Sequence, residues 1–297
     1  MIHTQTNSSE QMSLLDVNGL CKTYPDFTLK DVNIQLPKGL IMGFMGRNGA
    51  GKSTTIQSIM DLIKPDAGEI KILGMTMTDD EVMVKDQIGY VADSPILNKD
   101  WTVQDTLTFT RKFYSNWDIN FVDTYLNRFE IAANKKIKNL SKGMIIKFSL
   151  ILAMAHKPKL LLLDEPTSGL DPIIREEVLD LLLDFLQDDE RSILFSSHIT
   201  TDIEKIADIV TFIHDGEILL SENKEQLLDR YRRIIIKANA LDILNHPLLF
   251  NCKETIDGYI GYTDDFATFK EKAIGNWEAE RLSLEELFVL KTKQTVE

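Results

Sequence analysis

The chain has 297 residues, of which 43% are hydrophobic and 8 are proline, so it can bury a core of normal size and disorder of the whole chain is excluded. Its length suits about two domains, or one domain with an appendage. The 33 Lys and Arg residues against 46 Asp and Glu give a net charge of −13, which argues against an extended nucleic-acid interface and against direct binding to an anionic bilayer.

The apolar runs of the sequence are too short to cross a membrane. Residues 160–163 form a brief aliphatic run, and residues 144–155 are interrupted by Lys147 and Ser149. Residues 1–12 are polar and lack the basic and apolar regions of a secretory signal, so we expect a mobile N-terminus. The two cysteines, Cys21 and Cys252, are far apart and lack the spacing of a metal site. So few cysteines are typical of a protein in a reducing, intracellular compartment.

The N-terminal part of the chain predicts strands that lead into a strand–loop–helix unit. We expect short strands between residues 14 and 35, with a turn at residues 24–26, and a buried strand over residues 40–45. A glycine-rich loop follows, and then a helix from Lys52 to about residue 63, where Pro65 and Gly68 end it. Further strands are predicted near residues 69–73 and 87–91.

The rest of the chain predicts alternating helices and strands. Residues 102–157 are expected to be mostly helical. The predicted strands that follow cover residues 159–163, 192–196 and 209–213, and the predicted helices cover residues 172–187 and 200–206. Asp215 and Gly216 are typical of a hairpin turn. This alternation predicts an α/β fold with a mostly parallel sheet that is covered on both faces.

The composition changes near residues 231–236, where Tyr-Arg-Arg precedes three isoleucines. We therefore divide the chain after residue 233. Residues 234–297 are predicted to form a small α+β extension, because about 60 residues fit a minimal domain. A capping box from Ser283 to Glu286 is expected to begin its last helix.

Residues 46–53 match the phosphate-binding pattern of a strand, a glycine-rich loop and a helix. The glycines let backbone N–H groups point at phosphate oxygens, and the helix adds its positive N-terminal end. We expect Lys52 to contact the β- and γ-phosphates of a nucleotide and the Ser53 hydroxyl to contact Mg²⁺. The candidate nucleotide-binding residues of this segment are Gly46, Asn48, Gly49, Ala50, Gly51, Lys52, Ser53 and Thr54.

Two carboxylates follow the aliphatic strand at residues 159–163. A buried strand that ends in carboxylates places them at the carboxyl edge of the sheet, where α/β proteins bind ligands. We expect Asp164 to hold Mg²⁺ through water, and Glu165 to orient and polarise an attacking water. A strand that simply meets a polar turn is the alternative.

Five further segments make the chain resemble the ATP-binding cassette (ABC) family over about residues 13–233. Residues 140–144 are similar to the signature segment, usually LSGGQ, and residues 168–171 are similar to the D-loop. His198 resembles the switch histidine, and Tyr24 resembles the aromatic residue that stacks on adenine. Asp93 stands where most members carry the Q-loop glutamine.

The resemblance implies a P-loop NTPase with a RecA-like core, an antiparallel β subdomain and a helical subdomain inserted at about residues 95–157. It implies hydrolysis of ATP with Mg²⁺ between two cassettes, in which Ser141 and Gly143 of one cassette receive the γ-phosphate bound by the other. The residues implied are Lys52, Glu165 and His198 for catalysis, Tyr24 for adenine, and Ser53, Asp93 and Asp164 for the metal.

The resemblance also implies partners, which are a second cassette, identical or different, and a separate transmembrane permease subunit. The permease would hold the chain on the cytoplasmic face of the cell membrane. Aromatic residues are concentrated in residues 95–117. They form either the core of the helical subdomain or, in part, a groove for a helix of the permease.

The signature segment has a physical reading of its own. Ser141 is expected to cap a helix that runs from Lys142 to about residue 156 and has no acid in its first turn, so its start can receive a phosphate. A plain helix cap is the alternative. Lys142 and Met144 replace the usual Gly and Gln, and Lys142 either adds positive charge near phosphate or faces solvent.

The resemblance is greatest to exporter subunits of the antibiotic-peptide or acetoin type. Asp93 departs from the family pattern, because an ionised Asp can only accept hydrogen bonds. One alternative function is a soluble ABC ATPase that acts on ribosomes or DNA, which the single phosphate loop and the negative charge disfavour. Another is a nucleotide-gated signalling module, against which Glu165 and His198 argue.

Overall fold

A computed structural model describes residues 13–237 and 241–294 of the chain. The segment predicted to be mobile, residues 1–12, lies outside the described residues. The chain divides into two compact units. Among the described residues, the first unit comprises 13–207 and 211–220, and the second comprises 208–210, 221–237 and 241–294.

The strands up to residue 223 are β1 (Ser13–Tyr24), β2 (Phe27–Pro37), β3 (Ile41–Met45), β4 (Ala67–Ile72), β5 (Ile88–Val91), β6 (Leu160–Asp164), β7 (Ser192–Ser197), β8 (Ile209–His214) and β9 (Glu217–Asn223). The helices of the same part are α1 (Lys52–Ile59), α2 (Glu81–Asp86), α3 (Val103–Thr110), α4 (Ile119–Arg128), α5 (Lys142–Met154), α6 (Pro172–Phe185) and α7 (Thr200–Ile206). The elements that follow are α8 (Lys224–Arg230), β10 (Arg232–Lys237), β11 (Phe250–Thr255), β12 (Gly258–Thr263), α9 (Phe266–Lys272), β13 (Trp277–Arg281) and α10 (Leu284–Gln294).

A six-stranded sheet in the order β5-β6-β7-β3-β8-β9 forms the centre of the fold. The pairs β5–β6, β6–β7 and β3–β7 are parallel. Every residue of β3, β6 and β7 is buried, which explains why β3 and the first four residues of β6 are apolar on both faces. The predicted α/β fold with a mostly parallel sheet is therefore confirmed. The β8–β9 turn has φ 46° at Asp215 and φ 81° at Gly216, as a type I′ hairpin requires.

A second sheet, in the order β2-β1-β4, is antiparallel. β1 and β2 are joined by a two-residue turn at Pro25 and Asp26, so Tyr24 pairs directly with Phe27. Buried and exposed residues alternate along β2, which shows that only one of its faces packs on the core. This sheet agrees with the antiparallel β subdomain that the sequence predicts.

Helices α3, α4 and α5 lie between β5 and β6 in the chain, within residues 95–157. Each begins at a polar N-cap, since the side chains of Thr102, Asp118 and Ser141 accept hydrogen bonds from backbone N–H groups of the first turn. Over the part of the chain that is described, helices of the length and apolarity needed to span a membrane are absent.

The second unit contains an antiparallel sheet in the order β11-β12-β10-β13. Its core includes Ile234, Ile236, Ile243 and Phe269. The predicted division after residue 233 would cut through β10, because Arg232 and Arg233 already pair with residues of β13. The expected capping box is present, since Ser283 and Glu286 exchange side-chain-to-backbone hydrogen bonds of 3.0 and 3.2 Å.

The free energy of unfolding is expected to depend on the protonation of His156. Its ring is 2% exposed, stacks on Tyr114 at 3.9 Å between centroids, and has Nε2 3.0 Å from the Ile88 carbonyl oxygen. Burial lowers the pKa of His156 below its ordinary value. Below about pH 6.5, the unfolded state therefore binds a proton on His156 that the folded state binds less readily. The free energy of unfolding is highest above that pH and decreases as the pH falls below it.

We expect the free energy of unfolding to fall between about pH 7 and pH 5, and to fall less steeply in His156→Phe, which keeps an aromatic ring against Tyr114. Urea unfolding followed by tryptophan fluorescence at a series of pH values measures both slopes. His246→Phe in the second unit is the matched control. An unchanged slope in His156→Phe would contradict the prediction.

Candidate functional site

A cavity of about 490 Å³ opens at the carboxyl edge of the central sheet, and its size is typical of small-molecule sites. The loops after β3, β5, β6 and β7 meet there because parallel strands end at the same edge. The residues that line it are Phe27, Asn48, Gly49, Gly51, Lys52, Ser53, Thr54, Asp93, Glu165, Ser168 and His198. The structure thus brings most of the predicted site residues into one cavity.

The loop between β3 and α1 requires glycine at two positions. A Cβ atom on Gly46 would lie 2.6 Å from the Ile213 carbonyl oxygen, and one on Gly51 would lie 2.9 Å from the Phe27 ring, at a φ of 112°. Gly51 also precedes α1, which has no side-chain cap and no acidic residue in its first turn. The first N–H groups of α1 are therefore available to an anion in the cavity.

Lys52 is held at the cavity by the loop that precedes it. Its side chain is 5% exposed, and its ammonium donates to the carbonyl oxygens of Gly46 at 2.8 Å and Arg47 at 3.3 Å. The same Nζ lies 3.0 Å from Oε1 of Glu165, an ion pair without hydrogen-bond geometry. One full positive charge is thus fixed at the start of α1.

Glu165 lies between Lys52 and His198. Its Oε2 is 2.7 Å from Nδ1 of His198 and accepts a 3.3 Å hydrogen bond from the His198 backbone N–H. The backbone of Glu165 has φ 51°, an uncommon conformation for a residue with a side chain. Such residues cost free energy and occur most often at functional sites, so this carboxylate is oriented by a backbone that the fold holds in place.

Asp164 lies below the cavity, and its carboxyl is 2% exposed. Burial raises the pKa of Asp164, while hydrogen bonds from the hydroxyls of Ser53 and Ser196 act in the opposite direction. Ser196 Oγ donates to Asp164 at 2.8 Å and accepts from the Glu165 backbone N–H at 3.0 Å. A side chain of β7 thereby ties together the two acids at the end of β6.

The oxygens of Ser53, Asp164 and Asp93 fit a Mg²⁺ ion. Ser53 and Asp164 share a hydrogen bond, and Asp93 is close enough to raise the pKa of Asp164. Hydroxyl and carboxylate oxygens are the donors that Mg²⁺ prefers. The described residues contain no group of three or more His, Cys, Asp or Glu side chains that could hold a metal alone. Phosphate and water oxygens would supply the other ligands.

The two aromatic residues that flank the β1–β2 turn differ in their position relative to the cavity. Phe27 lines the cavity, whereas Tyr24, at the other side of the same turn, is absent from the lining and lies beside Lys22, whose Nζ is 5.8 Å from its ring centroid. Ser168 is a second lining residue without a predicted role at the site. The sequence carries a signal for Phe27, since both aromatic residues flank the turn, but it contains nothing that chooses between them.

Ser141 and Gly143 lie outside this cavity. Ser141 caps α5 through a 3.3 Å hydrogen bond from the Met144 N–H, and the first turn of α5 contains no acid. A Cβ atom on Gly143 would lie 2.9 Å from Cγ2 of Ile174, so glycine allows α5 to approach α6 closely. The start of α5 is therefore a separate surface that does not contribute to the cavity of its own chain.

Comparisons with known proteins agree with this geometry. The family model described as ABC transporter matches residues 29–168. The chain is 30% identical to the ABC transporter ATP-binding protein YtrB of Bacillus subtilis over 89% of this chain and 92% of YtrB. It is 33% identical to the bacitracin transport ATP-binding protein BcrA of Bacillus licheniformis over 75% of this chain and 74% of BcrA.

A solved structure of an ATP-binding cassette has a similar fold. The dimeric post-hydrolysis state of an ATP-binding cassette bound to ADP and Pi superimposes with a TM-score of 0.63 and 25% identity over 70% of this chain and 98% of that one. Both the shared motifs and the shared fold therefore establish that this chain belongs to the ABC transporter ATP-binding protein family and is an ATPase.

Proposed function

We propose that two copies of this cassette, or this cassette and a related one, enclose two Mg²⁺·ATP and drive a separate transmembrane permease in export. This proposal is based on the distance in the fold between the residues of the cavity and the residues at the start of α5. Lys52, Glu165 and His198 meet at one cavity, whereas Ser141 and Gly143 lie on another surface of the same chain. A second cassette would bring its own α5 start to the phosphates, and the dimeric relative supports this arrangement.

In the proposed mechanism, the residues of the cavity position phosphate and water. Lys52 and the N–H groups at the start of α1 bind the β- and γ-phosphates. Glu165 accepts a hydrogen bond from the attacking water and orients it, and His198 holds the Glu165 carboxylate at 2.7 Å. Ser53, Asp164 and Asp93 would hold Mg²⁺, which would neutralise charge on the phosphates.

The proposed cargo class is peptide-like. BcrA, 33% identical to this chain, is named for the transport of bacitracin. This relationship favours an exporter of the antibiotic-peptide type. ATP is supplied in the cytoplasm, so we place the chain on the cytoplasmic face of the membrane, attached through its permease.

The proposed contact with the permease is an aromatic surface formed by Trp101, Phe109 and Phe113. Neighbouring rings in this set lie 5.0 and 5.1 Å apart between centroids. Phe109 is 47% exposed and Phe113 is 68% exposed, so neither belongs to the core of the helical subdomain. Exposed aromatic side chains in a row suit a helix-in-groove contact, and the proposed occupant is a helix of the permease.

Glu165→Gln is expected to bind ATP and form a stable dimer with little turnover. The amide keeps the shape of the side chain but cannot take a proton, so kcat should fall by about a hundredfold or more. It also removes a carboxylate 3.0 Å from Lys52, which lowers repulsion toward the γ-phosphate and favours the bound state. Steady-state ATPase assays measure kcat, and light scattering with and without Mg²⁺·ATP measures the dimer.

Lys52→Ala is the control in this experiment, because it is expected to lose ATP binding and therefore the ATP-dependent dimer. Turnover by Glu165→Gln at the parent rate would show that Glu165 does not activate the water. A Glu165→Gln protein that stays monomeric at saturating ATP would contradict the paired arrangement.

Phe27→Ala is expected to weaken ATP binding, and Tyr24→Ala is expected to leave it almost unchanged. Stacking of a base on an aromatic ring contributes about 1–3 kcal/mol, so Kd for ATP should rise about tenfold in Phe27→Ala. Phe27→Tyr should retain most of the affinity, because the ring is kept. Titration with a fluorescent ATP analogue gives all three values. A larger loss in Tyr24→Ala than in Phe27→Ala would restore Tyr24 as the adenine contact.

Phe113→Ala is expected to reduce recovery of the chain with detergent-solubilised membranes and to leave its ATPase activity without membranes unchanged. The variant removes the most exposed ring of the proposed permease contact. Ile256→Ala, which removes a fully exposed apolar residue of the second unit, is the matched control. Mass spectrometry of the co-purified proteins identifies the permease. Recovery of the parent only as a free protein would contradict the transporter assignment.

A further inference from the structure

We propose that Lys142 is a positioning residue that joins the start of α5 to residues 168–171 and so couples the two ATP sites of a cassette pair. The sequence left two possibilities for Lys142, a charge near phosphate or a solvated side chain, and the structure gives it another contact. The inference rests on the proposed function, because only a pair that encloses two ATP molecules has two sites to couple.

The contact of Lys142 is with the backbone of its own chain. Its Nζ donates to the Ser168 carbonyl oxygen at 2.8 Å. A Cβ atom on Gly169, which has φ 65°, would lie 2.8 Å from the same Nζ, so the ammonium fits closely over this glycine. Among the residues that the structure describes, no carboxylate lies within ion-pair distance of Lys142. In a chain with 46 Asp and Glu residues, the ammonium is directed at a carbonyl oxygen.

The carbonyl that Lys142 binds belongs to a residue of the cavity. Ser168 lines the cavity, and its backbone N–H donates to the Glu165 carbonyl oxygen at 3.1 Å. Ser168 therefore connects the Lys142 ammonium to the Glu165 backbone, because it accepts a hydrogen bond from the first and donates one to the second. Glu165 has the uncommon φ of 51°, and the hydrogen bond from the Ser168 N–H to its carbonyl oxygen helps to hold its backbone in that conformation.

The start of α5 also contacts α6, which follows residues 168–171. Gly143 is close to Ile174 of α6, and α6 begins at the N-cap Asp171. Residues 168–171 are thus held from Lys142 on one side and from α6 on the other. A phosphate received by Ser141 and Gly143 from the second cassette would fix the start of α5, and through Lys142 it would fix Ser168 and Glu165.

The expected consequence is that ATP in one site improves the geometry of Glu165 in the other. Glycine, which the usual signature segment carries at this position, has no side chain to make the contact. The proposed link is therefore a property of this chain and depends on a donor of the length of lysine or arginine at residue 142.

Steady-state ATPase assays of the full-length chain over a range of ATP concentrations test this link. Lys142→Met keeps the length of the side chain and removes its donor. We expect kcat to fall about tenfold, which is the lower end of the loss of one hydrogen bond to a charged group, with cooperativity toward ATP reduced and the half-maximal ATP concentration little changed. Lys142→Arg should retain most of kcat, because the guanidinium can donate to the same carbonyl oxygen.

Lys138→Met is the matched control, because Lys138 is also an exposed lysine near α5 and loses only an exposed ion pair with Asp100. It should keep the parent kcat. A parent-like kcat and cooperativity in Lys142→Met would overturn the link. A higher half-maximal ATP concentration with unchanged kcat would also overturn it, because that result is expected of a lysine that binds the phosphate directly.

The dimer of Glu165→Gln separates failure of this inference from failure of the proposed function. If Glu165→Gln does not dimerise with Mg²⁺·ATP, the paired arrangement fails and the coupling fails with it. If it does dimerise, Lys142→Met in the same background should dimerise at the same ATP concentration, since the link acts on turnover. In that case, if the single variant Lys142→Met has the same kcat as the parent, only the role of Lys142 is overturned.

Discussion

The chemistry of the candidate site depends on the parallel pairing of three buried strands. Asp164 of β6 pairs with Ser196 of β7, and Ser197 of β7 pairs with Met45 of β3. A shift of any strand by one residue would turn its side chains to the opposite face. Close packing of the buried side chains on both faces of the sheet opposes such a shift, and this register is what places the Ser196 hydroxyl between Asp164 and the backbone of Glu165.

The same register buries charges that would be costly without partners. The side chains of Lys52 and Glu165 are 5% and 10% exposed and lie 3.0 Å apart, and Asp164 is hydrogen-bonded to Ser196. A buried charge that loses its partner costs several kcal/mol, roughly 3–5 for a broken buried pair. Loss of Lys52 would therefore have two effects. It would remove a phosphate contact, and it would leave the buried Glu165 carboxylate without the cation that lies 3.0 Å away.

The parts of the fold that depend on neighbouring residues were predictable from the sequence. The phosphate loop, the helix starts at Ser141 and Ser283 and the turn at Asp215 follow from local patterns, and the structure contains all of them. The boundary predicted after residue 233 falls inside β10, because that strand is defined by pairing with β13, whose residues come 41 to 49 positions later in the chain.

Contacts between distant segments limited the prediction of the site. Tyr24 and Phe27 face each other across a two-residue turn, and the Phe27 ring packs against Gly51 at the cavity, a contact between segments 24 residues apart in the chain. Lys142 meets Ser168 across 26 residues, through the packing of α5 against α6. No periodicity or local motif encodes either contact, so sequence reasoning identified the motifs without their connections.

The negative charge of the chain adds a further constraint on how ATP binds. The cavity is lined by Asp93 and Glu165 against Lys52, with Asp164 buried beneath. These side chains do not give the cavity a net positive charge, so in the proposed site attraction of phosphate would depend on the N–H groups at the uncapped start of α1 and on Mg²⁺. This explains why glycine is needed at residues 46 and 51, where a side chain would displace the loop. In the proposed site, Asp93 would offer the cation a second carboxylate beside Asp164, which an uncharged glutamine would not.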